Sequence, residues 1–78
     1  MKSRLHQLEI TTAINYNQQM IEHHVADIVK FAEKIREQCA QNIEIKTESL
    51  DQMQYRINRI VYRNANIKML QSVLATFE

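Results

Sequence analysis

The side chains that invite a chemical reading are His23, His24, Asp27 and Cys39 in the first half of the chain, and Arg56, Arg59 and Arg63 among Tyr55 and Tyr62 in the second. Adjacent histidines on a helix point about 100° apart. Neither has a His or Cys four residues away, the spacing at which two side chains share one metal. No metal site is expected, and His23 with Asp27 reads as a surface pair one helical turn apart. Cys39 is the only cysteine. A nucleophilic role would require an activating base, which the sequence does not place beside it. It reads instead as a small apolar residue on a buried seam. Without a convergent set of acid, base and nucleophile, no catalytic residue and no cofactor site is expected, and the chain reads as a non-enzyme.

Arginines interleaved with tyrosines can bind single-stranded nucleic acid by phosphate pairing and base stacking. Phosphate contacts dominate such affinity. The chain carries ten Lys and Arg against nine Asp and Glu, a formal net charge of +1, so there is no long-range field to support it. The ordinary partners for the three arginines are acids of another protein, or Glu33 and Glu37 of this one.

The elements that must carry these residues follow from composition. The 78 residues contain no Gly and no Pro. Tight hairpins, positive-φ turns and helix breaks draw on those two residues, so long helices are expected. P-loops, dinucleotide-binding turns and nucleophile elbows, which require a backbone without Cβ near the ligand, are excluded with them. A lone Cys precludes an internal disulfide and points to a reducing, cytoplasmic setting. No apolar run reaches the roughly 18 residues of a membrane span, and the first eight residues lack the apolar stretch of a secretory signal.

Ile14, Ile21, Ile28 and Ile35 recur every seven residues, with Val25, Ala32 and Cys39 at the alternate seam position. His23, Asp27, Lys30, Glu33, Lys34 and Glu37 form a mixed-charge outer face. A second heptad places Met53, Ile60, Ile67 and Leu74 in register, with Leu50, Ile57, Asn64 and Gln71 at its alternate position. Asn42 is suited to the left-handed conformation that ends a helix, and Ser49 with Gln52 to a capping box; Glu48 and Asp51 favour the positive end of the helix dipole.

The expected fold is all-α: one domain, an antiparallel two-helix hairpin with helix one over about 3–41, a connection over 42–48 and helix two over 49–77. Folding about Ile45 would bring Ile35 near Ile57, Ile21 near Leu70 and Ile14 near Phe77. Residues before Ile10 would then overhang, with a bend near Asn15 to Gln19 or a frayed arm. Gln18 and Gln71 would meet as a buried amide pair, and Asn64 would also lie in the seam, polar groups that fix register at a cost in stability.

On the back of helix two, Tyr55, Tyr62 and Met69 recur every seven residues, followed by Val73. A helix that is apolar on two faces is usually covered on both. This stripe, with Arg56, Arg59, Arg63, Leu70 and Phe77, is the expected contact surface for a helical partner or a second copy.

Arg4-Leu5 with Leu8-Glu9, the chain length, and Ile57-Asn58-Arg59-Ile60-Val61-Tyr62-Arg63 resemble the small hairpin co-chaperones of bacterial type III secretion, the E components that accompany the needle subunit. Tyr62-Arg63-Asn64-Ala65 also resembles the C-terminal helix of needle subunits. Both families usually turn with Pro or Gly, which this chain lacks. The resemblance implies a cytoplasmic partner of the helical-repeat type. Three readings follow: a docking hairpin such as a small chaperone or adaptor, a structural homodimer forming a four-helix bundle, and a nucleic-acid-binding bundle.

Overall fold

A computed structural model describes residues 2–77, with side chains from Arg4 onward. Helix α1 spans Lys2–Ala40 and α2 spans Thr47–Ala75, and the two pack antiparallel along their length. The result is a rod of 62 × 14 × 14 Å. The expected all-α hairpin is the observed fold.

The turn explains how this is managed without glycine. Asn42 adopts φ 56°, the left-handed region that Asn tolerates better than other non-glycine residues. The Ile43 N–H donates to the Gln38 carbonyl at 2.8 Å, and the Asn42 N–H donates to that of Cys39 at 3.2 Å. This double closure satisfies two carbonyls that a helix end otherwise leaves unpaired. We expect Asn42→Ala to cost about 1 kcal/mol by urea denaturation, and Asn42→Gly to leave stability equal or higher.

The other end of the connection departs from expectation. Helix α2 starts at Thr47, with Lys46 as an extended N-cap (φ −75°, ψ 135°) that makes no side-chain capping bond. Ser49 lies inside the first turn, where its N–H donates to the Lys46 carbonyl, so Ser49 and Gln52 form no capping box. Glu48 does occupy the first turn, where it favours the positive end of the helix dipole. Within the connection Ile45 is half-buried, while Ile43 remains half-exposed.

The isoleucine and methionine ridges do face each other. Ile14 and Ile67 are the buried apolar pair, and Ile21, Ile28, Ile35, Met53, Ile60 and Leu74 are half-buried around them. The alternate seam positions are the ones that change. Asn17, His24, Phe31 and Gln38 line the seam on α1, and Ser49, Arg56, Arg63, Leu70 and Phe77 on α2. Val25, Ala32 and Cys39 are exposed, as are Leu50, Ile57, Asn64 and Gln71. Each ridge residue has neighbours both three and four residues away on adjoining faces. Apolar character favours the i+4 set of α1, yet the packing uses the i+3 set. That set holds Phe31, the bulkiest apolar candidate, and polar groups that arginine side chains from α2 can reach.

Register shifts with it. Phe77 meets the His6 ring, centroids 6.4 Å apart, and not Ile14. Ile57 follows Arg56, whose partner is His24, so Ile57 is level with the middle of α1 and not with Ile35. Gln18 and Gln71 are both exposed and form no buried amide pair. Helix α1 runs unbroken through 15–19, and its start is matched by the end of α2, so there is no overhang. Leu5 and Leu8, out of phase with the ridge, are exposed on the continuous helix.

Candidate interaction surfaces

At the seam's midpoint is a polar ladder that the sequence pattern does not announce. Arg63 Nη1 donates to Asn17 Oδ1 at 3.3 Å, and Arg56 Nη1 to His24 Nδ1 at 3.3 Å. Arg56 Nη2 also lies 3.5 Å from Asp27 Oδ2. Asp27 thus serves the other helix and not His23. Asn17 is held from behind, its amide donating to the Ala13 carbonyl at 2.7 Å. Asn17 and His24 are seven residues apart on α1, as are Arg63 and Arg56 on α2, so the rungs stack at one heptad spacing. Arginine suits this position because its stem covers apolar surface while its head reaches a polar partner.

His24 is 5% exposed. Burial, reinforced by Arg56, Arg59 and Arg63 and opposed by Asp27, holds its pKa below the ordinary 6.5. With Nδ1 accepting from Arg56, the proton of the neutral ring is on Nε2, which is buried and without a partner. Arg56 Nε and Arg63 Nε are also buried and unpaired. The ladder is therefore only partly satisfied, and it weakens the seam it aligns.

The three arginines also brace the tyrosines. Arg63 lies 5.3 Å from the Tyr16 ring and 5.8 Å from that of Tyr62, bridging the helices. Arg59 lies 4.6 Å from Tyr62, and Arg56 5.7 Å from Tyr55. Neither Glu33 nor Glu37 provides their partner; the acid in contact is Asp27. Tyr55, Tyr62, Met69 and Val73 remain 42–57% exposed, a continuous outer stripe. Leu70 and Phe77, by contrast, are half-buried in the hairpin's own seam, as are Arg56 and Arg63.

A second apolar face lies on the other side of the rod. In an antiparallel pair, residues that follow the ridge by four positions project to the same side from both helices. Here they are Val25, Ala32 and Cys39 from α1, and Leu50 and Ile57 from α2, with Val29 and Val61 one turn outward. Val25, Val29, Leu50, Ile57 and Val61 are 42–65% exposed. The residues assigned to the seam from their apolar character thus form a surface.

Among the described residues, no three His, Cys, Asp or Glu side chains are grouped to hold a metal, and no helix is long and apolar enough to cross a membrane. The grooves are shallow and open, one lined by Arg4, Leu5, Gln7, Leu8 and Thr11, another by Asp27, Lys30, Phe31, Lys34 and Arg56. Comparison of the chain with protein-family models, curated proteins and solved structures finds no match.

Proposed function

We propose that this chain is a non-enzymatic helical interaction subunit, a hairpin that supplies two helices to a larger bundle. One observation carries the reading. Among the described residues, thirteen large apolar side chains are 42–65% exposed, while Ile14 and Ile67 are the buried apolar ones. The accessible surface is 6259 Å². A compact monomer of 9.3 kDa exposes about 5,000 Å². The radius of gyration, 17.9 Å, compares with about 11.5 Å for a compact domain of this length. Chains below roughly 80 residues commonly gain the missing stability from a partner.

The finer reading is a small cytoplasmic chaperone or adaptor subunit, of the kind that the type III secretion co-chaperones exemplify, docking through Tyr55, Tyr62, Met69 and Val73. The arginines are engaged by His24, Asp27, Asn17 and tyrosine rings, which favours protein docking over phosphate recognition.

The test is a set of thermal melts by circular dichroism over a hundredfold range of concentration, with sedimentation at each end. The expected result is a midpoint that rises with concentration, or a poorly cooperative melt when the chain is alone. A monomer with a sharp, concentration-independent transition would overturn the proposal.

A further inference from the structure

Building on that reading, we infer that the face formed by Val25, Val29, Leu50, Ile57 and Val61 receives a second copy of this chain, related by a twofold axis along the rod, so that both turns lie at the same end. Three observations lead there.

The first is area. Two separate hairpins expose twice 6259 Å², about 4,000 Å² more than a compact body of twice the mass. That excess falls in the range of about 2,000–5,000 Å² buried by obligate dimers.

The second is the pattern on each helix. The isoleucine ridge of α1 is flanked on one side by the ladder residues and on the other by Val25, Ala32 and Cys39. The ladder flank is taken up by α2 of the same copy, which leaves the apolar flank without a helix; in a four-helix bundle each helix has two neighbours, whereas a two-stranded pair uses one flank.

The third is the match along the rod. The contacts of Arg56 with His24 and of Arg63 with Asn17 fix which residues share a level. At that register Val25 is level with Ile57 and Ala32 with Leu50, toward the turn, whereas Gln18 is level with Asn64 and Thr11 with Gln71, toward the open end. The row next to the seam is thus apolar toward the turn and polar toward the open end. A twofold axis along the rod lays α1 of one copy on α2 of the other, level upon level. Val25 then meets the second copy's Ile57, and Gln18 meets its Asn64, apolar on apolar and amide on amide. Turning one copy end for end would set the valines against amides. The opposite face carries Asp27, Lys30 and Lys34 with Arg59 in its half toward the turn, and its tyrosines are already braced by Arg59 and Arg63.

The test is sedimentation equilibrium of the purified full chain and its variants. The wild type should be a dimer. Val25→Glu and Ile57→Lys should each weaken the dimer by about 100-fold, since each buries an unpaired charge. In the hairpin alone both positions are more than 40% exposed, so each variant should keep its helix content as monomer. Mixing the two should restore a one-to-one dimer, because the carboxylate introduced in one copy faces the ammonium introduced in the other. Val61→Glu, at the most exposed position of the face, gives the same weakening with still less effect on the hairpin. A poorly folded monomeric wild type would overturn the second copy as occupant while leaving the need for a partner standing. A sharply melting monomer would overturn both. A dimer indifferent to all three substitutions, or variants that fail to complement on mixing, would overturn the assigned face and axis.

Discussion

Ile67→Ala should remove about 2–3 kcal/mol from the stability of the hairpin, measured by urea denaturation followed at the helical circular dichroism band. Ile67 is 7% exposed and Ile14, on the facing ridge, 8%; no other apolar side chain among the described residues is buried as deeply. Truncating a buried isoleucine costs about 2–5 kcal/mol, and the spread depends on how well the site collapses around the gap. In a rod only 14 Å thick, neighbours and water reach the vacancy easily, which places the cost in the lower half of that range. Even so, a domain of 78 residues has on the order of 4–12 kcal/mol in total. A loss of about one sixth to three quarters of that would be visible as a clear drop in the midpoint. Glu33→Ala, on the exposed face, should change stability by less than about 0.5 kcal/mol. Equal effects from the two substitutions would mean that the isoleucine ridges are not the core.

The reverse sign is expected for the ladder. Replacing His24 by Leu and Arg56 by Met together should stabilise the chain by about 1 kcal/mol, the low end of what replacing a buried polar pair gives, because Arg56 is half-buried and Asp27 loses a partner. Two buried nitrogens that lack partners, His24 Nε2 and Arg56 Nε, would be removed by the same change. The substitution should also flatten the pH profile. Because burial and the neighbouring guanidinium groups depress the folded pKa of His24 below 6.5, the unfolded chain takes up its proton first as pH falls. Stability is therefore retained above pH 6.5 and declines as pH drops from there toward the folded pKa. The folded neutral ring accepts from Arg56 through Nδ1, a contact that protonation would turn into donor against donor. Urea midpoints at pH 7.5 and 5.5 should differ in the wild type more than in the double variant. An unchanged pH dependence would show that His24 is not the group responsible.

The ridges themselves were legible because seven-residue recurrence of Ile is independent of what flanks it. Ile14, Ile21, Ile28 and Ile35 face Met53, Ile60, Ile67 and Leu74, as the spacing predicts. Asn42 was legible because so few residue types accept a positive φ in a chain without glycine. The flank was not. Each ridge can be completed by either of two sets, and ranking them by apolar character selects Val25, Ala32 and Cys39 over Asn17, His24, Phe31 and Gln38. Long side chains defeat that ranking, since Arg56 and Arg63 bury their stems and carry their own polar partners across the seam. Register was missed for a related reason. Folding about Ile45 assumes a symmetrical connection and an Ile-on-Ile match, whereas the observed level is set by Arg–His and Arg–Asn contacts and by an early start of α2 at Thr47. The exposed tyrosine stripe was legible, because it depends on residues seven apart on one helix and not on how that helix meets its neighbour. Its counterpart on the opposite side was not legible, because apolar character assigns Val25, Ala32, Cys39, Leu50 and Ile57 to the interior.

The two arginine rungs also give the rod teeth. If the helices slid past each other by one heptad, Arg56 would come to rest against Phe31 and Asn17 would face Leu70, while one rung out of two would lose its acceptor. A smooth isoleucine seam has no such notch. A force that drives one helix along the axis of the other is therefore resisted at discrete positions, whereas a force that parts the neighbouring chain ends opens the rod from that end and meets the two rungs one after the other.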